Sequence, residues 1–273
     1  MKRYPTTLII AGSDSSGGAG IQADIKTCSA IGVYASTAIT AITAQNTMGV
    51  IDIQPITPDI VTKQIKAVLD DLIIDSIKIG MLCNASIVKA VADALNGIDI
   101  PIITDPVMVS TSGHKLLSDD AIDAVVKYIF PLSEIVTPNL HEASLLSGMD
   151  IVQPDDIIEA AHKTLSKGCR AVLMKGGHFD NLLSTDTLID NNLQVNHYSS
   201  PRYTTHNTHG TGCTLSSAIA AYRAKGYNLQ EATARAKEFV TQAIAHGSDV
   251  FAGRGHGALN HAFAPQPLSI INM

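Results

Sequence analysis

The sequence predicts an α/β fold built on a mostly parallel sheet with helices on both faces. Three observations carry that expectation. Short apolar runs alternate with helix-patterned segments along nearly all of the 273 residues, five times or more. Hydrophobic residues make up 45% of the chain while aromatics are 4% and tryptophan is absent, so the core must be assembled from Ile, Val, Leu and Ala. Such side chains suit parallel strands buried on both faces. One antiparallel signal stands apart, a strand pair joined at Asn191-Asn192 near the end of the alternation.

Taken in order, residues 7–11 form an apolar strand, and 20–31 a helix closed by Gly32. Segments 34–44 and 50–56 are β-rich, and 59–72 is an amphipathic helix introduced by Pro58. A strand at 76–80, a helix at 86–95 and a strand at 102–105 follow. Residues 119–130 are helical, 135–137 a strand, and 140–146 and 155–167 helices. A strand at 171–175 precedes the antiparallel pair 187–190 and 194–198, and helices at 214–225 and 229–246 finish the alternation. No repeat, low-complexity tract or linker interrupts it, so one domain over residues 1–273 is expected. The tail after Gly253 carries no readable pattern.

Composition narrows the function. The formal net charge is −6 and no run of Lys or Arg occurs, which argues against a nucleic-acid partner. The four cysteines, Cys28, Cys83, Cys169 and Cys213, form no C-x-x-C zinc or redox pattern. The first residues run into a strand-like segment instead of a signal peptide, and no apolar run is long enough to span a bilayer. A cytoplasmic protein with reduced thiols, away from any membrane, is the expectation.

In an open parallel sheet, ligands bind beyond the carboxyl ends of the strands. That rule selects Gly12, Gln45, Met81, Asp105, Asn139 and Lys175 as residues that should converge on one cleft. Residues 207–215, Asn-Thr-His-Gly-Thr-Gly-Cys-Thr-Leu, hold the strongest chemical signal. A helix starting near Gly210 aims free backbone N–H groups and its positive dipole end at an anion, and Gly210 and Gly212 admit close approach. Thr211 lies between them. Cys213 falls in the first turn, where the dipole favours thiolate over thiol. An anion cradle beside an activated side chain suggests transfer of a phosphoryl group.

The glycine loop 12–20 fits neither phosphate motif. The P-loop pattern needs Lys-Ser or Lys-Thr where Gly18-Ala19 stands, and the dinucleotide pattern needs an acidic residue ending the next strand. Asp14 adds a negative charge inside the loop, so a neutral, flat or hydroxyl-bearing ligand is expected there. Gln45 offers a donor and an acceptor to the ring-nitrogen and amino edge of an aminopyrimidine. Asp24, early in the following helix, is a candidate acceptor for a substrate hydroxyl or a plain dipole complement. Met81 is an apolar wall or simply core. Asp105 with Asn139 and Glu142 can hold a hydrated Mg²⁺, or Asn139 and Glu142 can cap a helix. Lys175 can balance triphosphate charge or be an ordinary solvated lysine. His206 and His209 lack a third ligand and read as loop histidines.

Seven segments, 10–24, 43–47, 78–82, 105–109, 137–143, 173–178 and 207–215, together resemble the hydroxymethylpyrimidine kinase/phosphomethylpyrimidine kinase family of thiamine biosynthesis, within the ribokinase superfamily. The resemblance runs in order from about Leu8 to His246. It implies a three-layer αβα sandwich, ribokinase-like and usually dimeric, that uses ATP and Mg²⁺ twice. It implies phosphorylation of 4-amino-5-hydroxymethyl-2-methylpyrimidine to the monophosphate and then to the diphosphate. By the same resemblance Gly12, Asp24, Gln45 and Met81 line the substrate site. Asp105 and Glu142 serve the metal, Asn139, Glu142 and Lys175 the nucleotide, and Gly210, Thr211, Gly212 and Cys213 form the anion hole and catalytic residue. Most sugar kinases of the superfamily carry aspartate in place of Cys213. A pyridoxal kinase of the same lineage is the alternative; some of these carry a lid cysteine after Asp-Pro-Val-Met, and residues 109–114 here hold none.

Overall fold

The computed structural model describes residues 1–108, 117–176 and 182–272. The chain opens with β1 (Lys2–Arg3), β2 (Thr6–Asp14), α1 (Gly20–Ile31), β3 (Tyr34–Asn46) and β4 (Gly49–Pro55). It continues with α2 (Pro58–Leu69), β5 (Ser76–Ile79), α3 (Ala85–Leu95), β6 (Ile102–Thr104) and α4 (Asp119–Ala124). Then come β7 (Ile135–Val136), α5 (Leu140–Ser147), α6 (Asp156–Leu165), β8 (Ala171–Met174), β9 (Leu183–Asp190) and β10 (Val195–Pro201). Helices α7 (Thr211–Ala224) and α8 (Leu229–Ala245) precede the closing strand β11 (Ile271–Asn272).

The nine-stranded sheet runs β10-β9-β8-β7-β6-β5-β2-β3-β4. Six neighbouring strands, β8 to β3 in that order, are parallel, and antiparallel strands flank them on both edges. The alternation of the strands separates two cores. Leu8, Ile10, Ile77 and Ile79 face the layer of α2 to α6, and Ile9, Ala11, Ile103 and Leu173 face α1, α7 and α8. This is the expected three-layer arrangement. The order of strands reverses at β2, which has β3 on one side and β5 on the other, so the crevice of an open α/β sheet falls at the end of β2.

Helix ends follow their sequence signals. Asn84 caps α3 through the N–H of Ile87, Asn228 caps α8 through that of Glu231, and Pro58 opens α2. The segment expected as one helix over 119–130 is instead three windings: α4, a π-turn at Val125–Ile129 and a 3-10 turn at Phe130–Leu132. Pro131 in the 3-10 turn lacks an N–H for an α-helical ladder, which ends the helix there. Strand β2 runs on to Asp14 with a register shift between Ala11 and Ser13, so Gly12 sits on a bulge, not past the strand. Among the described residues no helix is long and apolar enough to cross a membrane.

The tail without a readable pattern is a strap. β11 pairs with β1, and the N–H groups of Gln266 and Ser269 donate to the carbonyls of Ala30 and Gly32 at the end of α1. Buried His261 lies 2.9 Å through Nε2 from Thr214 Oγ1 in the first turn of α7. Burial, helped by the charge of Lys26, drives His261 down from 6.5 to about 4 despite the opposing carbonyl of Leu259. The folded protein therefore keeps His261 neutral where the unfolded chain takes up a proton, and stability falls as pH drops from 6.5 to about 4. Urea unfolding across that window should show a smaller acid loss for His261→Gln than for the parent; equal slopes would remove His261 as a source.

Candidate active site

All six residues named as strand ends, Gly12, Gln45, Met81, Asp105, Asn139 and Lys175, line one cavity of about 640 Å³. Gly210, Thr211, Gly212 and Cys213 form part of its wall, as does Glu142. The helix that begins there is α7, with Gly210 immediately before it in the left-handed region at φ 85°. No side chain caps its first turn. The first N–H groups of a helix have no partner within it, so those of Gly212 and Cys213 are donors at this wall that the helix itself leaves open. Gly210 is required twice over: its φ strains any other residue, and a Cβ there would collide with the carbonyl of Gly18.

On one side of this helix start lies an apolar and amide-bearing surface. Met81 is buried, and its terminal methyl packs so closely on Gly12 that a Cβ at residue 12 would sit 2.8 Å from it. Gln45 is half-buried, with both backbone groups held by Ser15: its N–H reaches Ser15 Oγ at 2.8 Å and its carbonyl accepts from that hydroxyl at 2.6 Å. This part of the cavity suits a flat heterocycle.

On the other side lies a charged cluster. Lys175 Nζ is 2.9 Å from Asp105 Oδ1 and 3.9 Å from Glu142 Oε2. Asp105 also accepts from Thr137 and Ser216 at 3.2 and 3.4 Å. Asn139 and Glu142 form a capping box: Asn139 Oδ1 accepts from the Glu142 N–H and Glu142 Oε2 from the Asn139 N–H, each at 2.9 Å. The helix-cap alternative is thus realised, and Glu142 still faces the cavity. Burial raises Glu142 to about 7, against the opposing charge of Lys175. Burial alone would lower Lys175, but the carboxylates of Asp105 and Glu142 outweigh it and hold the ammonium charged. Its ammonium lies between the two candidate metal carboxylates, so they do not form a ready inner-sphere pair. Among the described residues no group of three His, Cys, Asp or Glu side chains forms a metal cage. Lys237, beside Ser184 at 3.2 Å and Asp186 at 2.9 Å, extends the charged wall from α8 to β9.

Three expectations change. Asp24 lies a full turn inside α1 and does not reach the cavity. It is wholly buried, and its two oxygens are taken by Lys78 Nζ at 2.7 Å and Ser217 Oγ at 2.5 Å. Its partner Lys78, also wholly buried, lines the cavity and was invisible as a site residue, since a lysine within an apolar strand reads as an interruption. Cys213 is not a ready thiolate: burial pushes it to about 11, with Lys78 opposing and the carboxylates of Asp24 and Asp105 adding to the rise. The desolvation of the sulfur outweighs the helix dipole that led to the opposite expectation. His209 does lie in the loop between β10 and α7, but it is buried in the cavity wall instead of idle, and its Nε2 lies 2.8 Å from Asp14 Oδ2.

Asp14 is therefore not a loose charge facing a ligand. Its carboxylate accepts from Ser16, Gly18, Ala19 and His209 and so folds its own loop. Burial alone would raise it, but these hydrogen bonds prevail and bring it to about 2. The segment 109–114 and residues 177 and 178 of the lysine motif lie outside the described residues.

The Lys78–Asp24 pair should behave as a buried ion pair that cannot lose one member. Lys78→Met is expected to cost about 3–5 kcal/mol of unfolding free energy by stranding the carboxylate, and Lys78→Met with Asp24→Leu to regain much of it. Urea denaturation of the three proteins tests this; a single variant as stable as the parent would refute it.

Comparison with known proteins agrees with this architecture. The family model described as phosphomethylpyrimidine kinase matches residues 14–260. A hydroxymethylpyrimidine/phosphomethylpyrimidine kinase of Rhizobium meliloti is 45% identical over 255 residues, covering 93% of this chain and 96% of that protein. Its Escherichia coli counterpart is 43% identical over 266 residues, covering 97% and 99%. The crystal structure of a phosphomethylpyrimidine kinase from Clostridium difficile superposes with a TM-score of 0.78 at 43% identity, over 88% of this chain and 99% of that one. A Bacillus subtilis pyridoxal kinase in complex with ADP gives a TM-score of 0.85 at 36% identity, over 94% and 97%. With its family model spanning most of the sequence and relatives this similar at nearly full length, the chain belongs to the phosphomethylpyrimidine kinase family and has a ribokinase-like fold.

Proposed function

We propose that this protein transfers the γ-phosphoryl group of ATP first to the hydroxymethyl group of 4-amino-5-hydroxymethyl-2-methylpyrimidine and then to the resulting monophosphate, in thiamine biosynthesis. The observation that carries the reading is the uncapped start of α7, set between an amide-bearing pocket at Gln45 and a charged wall at Lys175. Relatives bearing the names of this kinase, and neighbours solved with ADP or an ATP analogue, support it. One kinase domain over residues 1–273 accommodates both steps.

In this reading the heterocycle lies against Gly12 and Met81 with its polar edge on Gln45. The N–H groups of Gly212 and Cys213, with Thr211 alongside, receive the charge that develops on the migrating group. Lys175 balances the nucleotide phosphates, and Asn139 and Glu142 hold that wall in place. A hydrated Mg²⁺ carried by the nucleotide fits Asp105 and Glu142 through water, since magnesium keeps most of its shell and uses few carboxylates. When bound it neutralises phosphate charge.

Cys213 serves as base for the neutral alcohol of the first step only through its minor thiolate form. In the second step the nucleophile is an anionic phosphate oxygen that needs little help. The raised thiol makes base action the smaller part of the rate and charge stabilisation the larger. Cys213→Ala should lower turnover of the alcohol by about 10²-fold and that of the monophosphate by less than about 10-fold. Coupled ADP-release assays with each acceptor decide it: equal losses exclude the base role, and pyridoxal outperforming both acceptors in the parent would overturn the substrate assignment.

The β3–β4 hairpin ends the sheet with β4 as its open edge, and Ile42 on β3, Met48 in the turn and Ile51 on β4 are 50%, 66% and 76% exposed. An apolar open edge invites pairing, and we read it as the contact of a homodimer. Sedimentation should show a dimer that Ile51→Asp shifts toward monomer; a parent that sediments as a monomer at micromolar concentration would rule this out.

A further inference from the structure

The Gln45 side chain sits between two partners. Its Oε1 is 3.1 Å from Thr43 Oγ1, and its Nε2 is 3.3 Å from His209 Nε2. Proton counting makes that orientation self-defeating at both ends. Thr43 has one hydroxyl proton, and the carbonyl of Ser13 claims it at 2.9 Å. His209 Nε2 lies 2.8 Å from the carboxylate of Asp14, which is ionised above about pH 2. A bare ring nitrogen facing a carboxylate at that distance is repulsive, so His209 Nε2 carries a proton and gives it to Asp14. The amide nitrogen of Gln45 then faces another donor, and its oxygen faces a hydroxyl already committed elsewhere. A half-turn of the amide repairs both contacts together. Oε1 then accepts a share of the His209 N–H, and Nε2 donates to the free lone pair of Thr43 Oγ1.

We propose that His209 is a specificity-positioning residue, which, pinned by Asp14, holds the Gln45 amide with its oxygen toward the imidazole and its nitrogen toward Thr43. His209 has little freedom to do otherwise. A Cβ at residue 18 would fall on its ring, and its own N–H donates to the carbonyl of Gly257 at 3.0 Å. The amide keeps one N–H and one oxygen lone pair for the cavity, in an order set before any ligand arrives. The matching ligand edge is a ring nitrogen opposite the N–H, beside an exocyclic amino group opposite the oxygen. A heterocycle with a hydrogen or a carbonyl in place of that amino group leaves the Gln45 oxygen unpaired or opposed. The inference deepens the substrate assignment above and rests on it for the identity of the ring, but not for the orientation of the amide.

Two measurements separate those dependencies. In ligand-free protein, NMR should show cross-relaxation from the Gln45 side-chain NH₂ to Thr43 side-chain protons and not to the His209 ring protons. The reverse pattern overturns the proposal whatever the substrate is. In kinetics, the parent should favour the aminopyrimidine alcohol over its deamino analogue by about 10²-fold or more. His209→Ala should raise KM for the amino compound about 10-fold, leave kcat within about 3-fold and shrink the preference at least 10-fold, the pattern of lost binding complementarity. His209→Gln, which returns an N–H donor near the place of ring Nε2, should restore much of the preference. An unchanged preference in His209→Ala, or a loss in kcat alone, overturns the proposal. A parent with no preference for the amino compound sinks the substrate assignment, and the NMR result still decides the role of His209.

Discussion

Everything at this site depends on a helix that begins without a side-chain cap. The first turn of α7 is left open because Gly210 occupies a left-handed conformation with no side chain of its own, directly against the carbonyl of Gly18. Asparagines close the starts of three other helices, at Asn84, Asn139 and Asn228, while α1, α2, α4 and α6 also begin without a side-chain cap; at α7 the uncapped residues Gly210 to Cys213 line the cavity. The contrast has a physical meaning. A capped start satisfies itself, whereas an uncapped one at the edge of a sheet keeps donors and a partial positive charge for an incoming anion.

Holding that open start in place requires two buried charge networks. Beneath it, Lys78 from β5, Asp24 from α1 and Ser217 from α7 tie strand and helices together inside the apolar layer. Beside it, Asp105 and Lys175 from two strand ends meet Glu142 from the first turn of α5. The thiol of Cys213 lies within the field of both sets, and the cost of desolvating sulfur prevails over the nearby ammonium. The result is a neutral thiol, which adds no permanent negative charge to the cavity wall.

The glycine loop and the tail do structural work that is easily mistaken for ligand chemistry or for nothing. Asp14 gathers backbone N–H groups of its own loop and the imidazole of His209, joining two segments 195 residues apart. The tail then closes over the far side, where His261 meets the first turn of α7 and Gly257 holds His209. Through these contacts the loop after β2, the start of α7 and the amide of Gln45 form one hydrogen-bonded unit.

The sequence by itself determined the alternation of strands and helices, the parallel sheet and the list of strand ends that meet in one cavity. Periodicity, caps and glycines act over a few residues, so they are legible in a linear string. It also pointed to residues 210–213, because an anion cradle at a helix start is a local device. Only the tertiary structure decided where charge would be compensated. Asp24 looked available until Lys78, 54 residues away, took its carboxylate. Cys213 looked acidic until burial outweighed the dipole, and His209 looked idle until Asp14 reached it. The π-turn at Val125–Ile129 was likewise not legible in the periodicity of the segment. Desolvation and long-range pairing depend on what the fold brings near, and a sequence does not carry that information at any one position.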